Sequence, residues 1–177
     1  SFRGGDLKRA LPTIAIAALF AGCAAMPPSG LSAVADLAST KGNTAAGTVT
    51  FTQKEGKVLV HAMVSGLAPG THGFHIHEKG DCSSGDGVSA GGHFNPLGKP
   101  HSYPTVEDRH AGDMPMLVAD SAGNASLTAE LDVITIGGGS ADVIGKGVIV
   151  HKDPDDFKTQ PTGNSGARVA CGVIRKS

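Results

Sequence analysis

From residue 45 onward, apolar and polar residues alternate with a period of two. In "GTVTFTQ" Val49 and Phe51 sit between Thr48, Thr50 and Thr52, and in "VLVHAMV" Val58, Val60, Ala62 and Val64 share one face. Side chains of a strand point alternately to opposite faces, so this spacing predicts half-buried strands. "KEGK" and "GLAPG" supply turns between them. "GFHIH", "MPMLVAD", "ASLTAELDV", "GVIVH" and "RVACGVI" continue the pattern, giving about eight short strands and no long amphipathic helix. The predicted fold class is all-β, an eight-stranded antiparallel Greek-key β-sandwich or barrel. Two long segments interrupt the rhythm, 78–113 and 152–167, both rich in Gly, Pro and charged or polar residues. Long irregular loops in a compact domain are mostly functional or disordered, and both of these adjoin histidines.

Composition sharpens this picture. The 177 residues include 26 glycines, no Trp and only 18% charged residues, which fits short strands joined by turns rather than a helical bundle. Fifteen basic residues against 16 acidic ones leave a net charge of −1, so no basic footprint for nucleic acid exists. The first residues read as an export signal. Arg3, Lys8 and Arg9 precede an apolar run, Ala10 to Ala21, that is too short to span a bilayer. It ends in Ala21-Gly22-Cys23, small residues before a Cys, as in bacterial lipoprotein signals where the Cys is acylated. The alternative is ordinary cleavage after Ala25. Domain boundaries are therefore expected at 1–23 for a signal, 24–44 for a flexible tether and 45–177 for the folded domain. With Cys23 assigned to lipid, Cys82 and Cys171 remain as a pair, and in an exported protein such a pair is most economically a disulfide.

The chemistry is carried by histidines. In "HGFHIH" His75 and His77 project to one face of a strand while Phe74 and Ile76 face the other. Alternate strand positions lie roughly 6.5–7 Å apart, close enough for both imidazoles to reach one metal ion. His151 ends "GVIVH" and would complete an all-imidazole set suited to copper. In the first long loop His93, His101, His110 and Asp113 make three imidazoles and a carboxylate, a closed donor set that suits tetrahedral zinc. A metal there also gives the long loop the anchorage that its missing core does not.

The motifs "GFHIH", "GGHFNP", "RHAGD", "VIVHKDPDD" and "TGNSGARVACGVI", in this order and spacing, resemble those of the copper–zinc superoxide dismutases, particularly the bacterial secreted branch. The resemblance runs from about residue 45 to the end. It implies copper held by His75, His77, His93 and His151, and zinc held by His93, His101, His110 and Asp113, with His93 bridging the two as an imidazolate. It also implies that Asp155 links a copper histidine to a zinc histidine, its neighbour Asp156 being separated from it only by the family's spacing. Arg168 matches the arginine that holds the anion beside copper, Thr162 lines the entrance, and Cys82 with Cys171 matches the family disulfide. His72 resembles a histidine bonded to backbone, and His61 has no counterpart.

The activity so implied is disproportionation of superoxide to dioxygen and hydrogen peroxide, with copper cycling and His93 delivering a proton. Superoxide is then the partner, in the periplasm or cell envelope, with a membrane tether through lipidated Cys23 and a monomer or homodimer as the assembly. Lys152 and Lys158 join Arg168 as candidate sources of local attraction for the anion. A non-catalytic envelope copper or zinc carrier would need no anion-docking Arg168. A sandwich stabilised by zinc alone would leave His75, His77 and His151 unexplained.

Overall fold

The computed structural model describes residues 30–177. Ten strands follow one another: β1 Ser32–Ser39, β2 Ala46–Lys54, β3 Lys57–Ser65, β4 Gly70–His72, β5 Phe74–His77, β6 Leu117–Ala119, β7 Ala125–Leu131, β8 Gly147–His151, β9 Arg168–Val173 and β10 Arg175–Lys176. One 3-10 turn, Val88–Ala90, is the only helical element among the described residues. Eight strands form one curled sheet in the order β5-β8-β9-β1-β2-β3-β7, with β10 added against β1, while β4 and β6 pair separately. All ladders between these strands are antiparallel, as the alternating pattern predicts.

The core follows the period of two. Val49 and Phe51 of β2 and Val58, Val60 and Ala62 of β3 are fully buried, and Ala33, Ala35 and Leu37 of β1 join them on the same inner surface. Burying a side chain such as Phe51 or Val60 stabilises the fold by roughly 1.5–3 kcal/mol before entropy is counted.

Of the expected tether at 24–44, residues 24–29 lie outside the described residues, and the part from 32 to 39 needs correction. Residues 32–39 form β1, which pairs with β2 through residues 32–37 and with β9 through Ala38 and Ser39. Its inner face is built from two alanines and one leucine, and Val34 on the opposite face blurs the alternation. Pairing on both edges, rather than local propensity, holds this segment as a strand. "MPMLVAD" is likewise shorter than expected, with only Leu117–Ala119 paired. The signal at 1–23, with Cys23, lies outside the described residues.

Two features position the later chemistry. Every residue of β5 is buried, because loop segments cover the strand face and edge that β8 leaves open. Ile76 N–H donates to Gly112 O at 2.9 Å, and Phe94 N–H donates to Ile76 O at 2.8 Å. Between β8 and β9 the register slips: Val150 faces Ala170, but His151 faces Arg168. This bulge at Val169 sets Arg168 across from His151, the kind of re-aiming that bulges provide near functional sites.

Candidate metal centre

His75 and His77 leave the core side of β5 to Phe74 and Ile76 and turn their rings the other way. His151 arrives from the end of β8, and His93 from the loop segment bridged to His77. The four rings are buried and offer ligand atoms within 4.8 Å of one another. Their hydrogen bonds divide each ring into an outer and an inner nitrogen. His75 Nε2 lies 2.6 Å from Asp155 Oδ2, His77 Nδ1 lies 2.9 Å from Gly91 O, and His151 Nδ1 lies 3.1 Å from Gly166 O. Each outer nitrogen faces an acceptor oxygen and must carry the proton, so each inner nitrogen presents a lone pair. His77 Nε2 and His151 Nε2 face each other at 3.4 Å, and His75 Nδ1 is buried with no partner. Lone pairs turned on one another without a donor are costly to bury. A cation at their meeting point removes that cost.

His93 takes part in a second group. Its Nδ1 lies 3.1 Å from Asp113 Oδ1, which also lies 2.9 Å from His101 Nδ1 and 3.5 Å from His110 Nδ1. Asp113 Oδ2 accepts backbone N–H bonds from Ser102 and His110, which fixes the carboxylate. Three imidazoles and one carboxylate oxygen thus converge, again within 4.8 Å of one another. The remaining nitrogen of His93, Nε2, is buried without a partner. Both donor sets suit a metal ion in the way their chemistry demands: imidazoles only in the first, imidazoles with a carboxylate in the second.

Electrostatics set His101 apart from the imidazoles of the first group. Burial, followed by the neighbouring imidazoles, pushes His75 down to about 3 and His77 well below its ordinary value. Burial likewise lowers His93 and takes His151 down to about 4. These rings stay neutral, as metal ligands must. His101 differs. Burial opposes its charge, but hydrogen bonds to Asp113 and Asp155 outweigh that and hold it up to about 9. Both carboxylates are in turn held well below the ordinary range by those histidines, against the effect of burial.

Asp155 joins the groups. Its Oδ2 meets His75 Nε2 and its Oδ1 meets His101 Nε2 at 2.9 Å, while Asp156 is exposed and caps Lys158 and Thr159. Arg168 donates from Nη1 to Gly87 O and from Nη2 to Gly91 O, both at 2.7 Å. Gly91 O is the acceptor of His77 too, so one carbonyl ties the guanidinium to the imidazole group. Cys82 and Cys171 form a disulfide, and the segment supplying those carbonyls follows Cys82 directly. Thr162 is half-buried on the second long loop, its carbonyl accepting from Ser165. His72 lies outside both groups, its ring nitrogens 2.8 Å from His151 O and Ala68 O.

Sequence patterns did not point to three further contributors. Met116 Sδ accepts the Asp155 N–H at 3.2 Å, Gln160 binds the backbone of His101, and Gly163 packs against Asp155 where no side chain fits. None belongs to a ligand-type motif, and only the packing of the two loops reveals them.

Comparison with known proteins agrees with this geometry. The family model described as copper/zinc superoxide dismutase matches residues 45–174. The fold is also similar to the crystal structure of the clock protein EA4, at 40% identity and a TM-score of 0.75, covering 85% of this chain and 98% of that one.

Proposed function

The chain belongs to the copper/zinc superoxide dismutase family, and on that premise we propose that it disproportionates superoxide to dioxygen and hydrogen peroxide. In this reading His75, His77, His93 and His151 hold copper, and His93, His101, His110 and Asp113 hold zinc. When bound, copper supplies one-electron redox chemistry and zinc, without redox of its own, supplies charge and anchorage. The observation that carries the reading is the pair of orphaned nitrogens, His75 Nδ1 and His93 Nε2, buried where both donor sets meet at His93.

The remaining roles belong to the protein's own groups. Asp155, Gly91 O and Gly166 O hold the outer ring nitrogens protonated and so keep lone pairs directed inward. Arg168 docks the anion. Two of the guanidinium's five N–H donors are spent on Gly87 O and Gly91 O, which fixes the plane, and the others remain for superoxide. Whenever His93 Nε2 is not engaged by a cation it can hold a proton and pass it to superoxide, the second proton of hydrogen peroxide coming from solvent, while its Nδ1 stays directed at Asp113. With a net charge of −1, attraction for the anion rests on local cations such as Arg168. The same reading has residues 1–23 export the chain to the cell envelope, with lipid on Cys23.

The test is superoxide decay by stopped flow, with zinc-loaded protein titrated with Cu(II). Decay that climbs linearly and saturates at one copper per chain is expected. Stoichiometric copper binding with decay at the background rate refutes dismutation and leaves a metal carrier.

A further inference from the structure

We infer that Gln160 is a positioning residue for the group His93, His101, His110 and Asp113, acting as a two-point latch on His101. The inference rests on the reading of that group as a zinc site. Gln160 Oε1 accepts the His101 backbone N–H at 2.8 Å, and Gln160 Nε2 donates to the His101 carbonyl at 2.8 Å, with a further contact to Lys158 O at 3.2 Å. A side-chain amide thus supplies what a neighbouring strand would, at a point where neither loop forms one. Residues 59 apart in sequence are joined by it.

The consequence for His101 is complete commitment. Its backbone N–H and C=O are held by Gln160, its Nδ1 faces Asp113 and its Nε2 faces Asp155. The residue is 2% exposed, and with the backbone fixed little freedom remains for the ring to leave Asp113. Gln160 also stands two residues before Thr162 and three before Gly163, which abuts Asp155 and His101. The latch therefore fastens the second long loop to the backbone beneath a metal ligand. Losing a group that orients a metal ligand typically costs about 10–100-fold in metal affinity, and a weaker site gives up its metal faster.

The experiment uses Co(II) as a visible probe for this group, in the unaltered protein and in Gln160→Met and Gln160→Ala. Methionine keeps the length of the side chain and loses its hydrogen bonds to His101; alanine shortens the side chain as well. Tetrahedral Co(II) bands are expected in all three. Transfer of the metal to an excess of chelator should be about tenfold faster in both variants, and at most about 100-fold. The His101 amide should lose its protection from hydrogen exchange in both, while melting of the metal-free protein should be unchanged. If the unaltered protein shows no tetrahedral bands, the zinc reading falls and the latch with it. Bands with unchanged transfer in Gln160→Met overturn the latch alone. So does faster transfer matched by a lower melting temperature of the metal-free protein, which would mark a general stabilising contact.

Discussion

Replacing Asp155 with Asn separates the two metal-type groups by a tautomer argument. Asp155 receives N–H bonds from His75 Nε2 at 2.6 Å and His101 Nε2 at 2.9 Å, one on each carboxylate oxygen. Asparagine offers one oxygen and one NH2. Whichever ring faces the NH2 must give up its Nε2 proton and carry it on Nδ1, the nitrogen that the proposed sites offer to a metal. The structure decides which ring this is. Phe157 N–H donates to Asp155 Oδ1 at 2.7 Å, so the amide oxygen of Asn takes that side and its NH2 meets His75. His75 Nδ1 then points a proton into the first group, while His101 keeps its geometry.

A buried donor without an acceptor costs about 1–3 kcal/mol, which corresponds to about 10–100-fold in affinity. On the proposed assignment of the two groups, Asp155→Asn should therefore weaken copper by that factor and leave zinc within a few-fold of the unaltered protein. Competition titrations with chelators of known affinity, one metal at a time, make the measurement. Equal losses at both groups, or loss at the zinc group alone, would refute the assignment of the amide's orientation. Unchanged copper affinity would refute the role of Asp155 altogether.

Gly163 has φ of +68°, and a Cβ there would overlap Asp155 Oδ1 and sit 2.5 Å from His101 Nε2. Gly163→Ala should weaken both metals by displacing the carboxylate. Gly42→Ala, at φ +82° with open space around it, should cost only about 1–2 kcal/mol of stability, and equal metal affinities in the two variants would sink the argument. The Cys82–Cys171 disulfide spans 89 residues, so its removal should cost about 4–5 kcal/mol in the chain-entropy model and lower melting by on the order of 10 °C. Removal should also slow superoxide decay by freeing the segment that holds Arg168; a variant lacking both cysteines that melts and turns over like the parent would contradict this. The metal-free protein should lose stability in acid. His75 and His151 are depressed to about 3 and about 4, so their neutral forms stabilise the fold fully above the ordinary value of 6.5, and that stability drains as pH falls toward the depressed values. Each ring contributes about 1.4 kcal/mol per pH unit across that window, measurable as a urea midpoint that falls between pH 6 and 4 and flat if the rings titrate normally.

Residues close in sequence declared themselves. The period of two in β2 and β3 is written in Val49, Phe51, Val58 and Val60, because the pleat of a strand sorts neighbouring side chains to opposite faces. The same geometry made His75 and His77 a pair, and the first loop's ligand types were legible from one short run. What local pattern did not carry was partnership across distance, beyond what the family resemblance implied for His151, Asp155 and the Cys82–Cys171 pair. β1 is not legible in the sequence because two alanines and a single leucine, Ala33, Ala35 and Leu37, are too little to mark a face, and hydrogen bonding to β2 and β9 makes them a strand. Asp155 and Asp156 are equivalent as letters and only the family's spacing tells them apart; the packing of two loops buries one between His75 and His101 and leaves the other in water. Gln160 carries no ligand chemistry, and its two hydrogen bonds exist only because the loops meet. Local periodicity is a property of adjacent residues and can be read from them. Hydrogen-bond partners tens of residues apart are chosen by the tertiary fold, since only there do their atoms come within bonding distance.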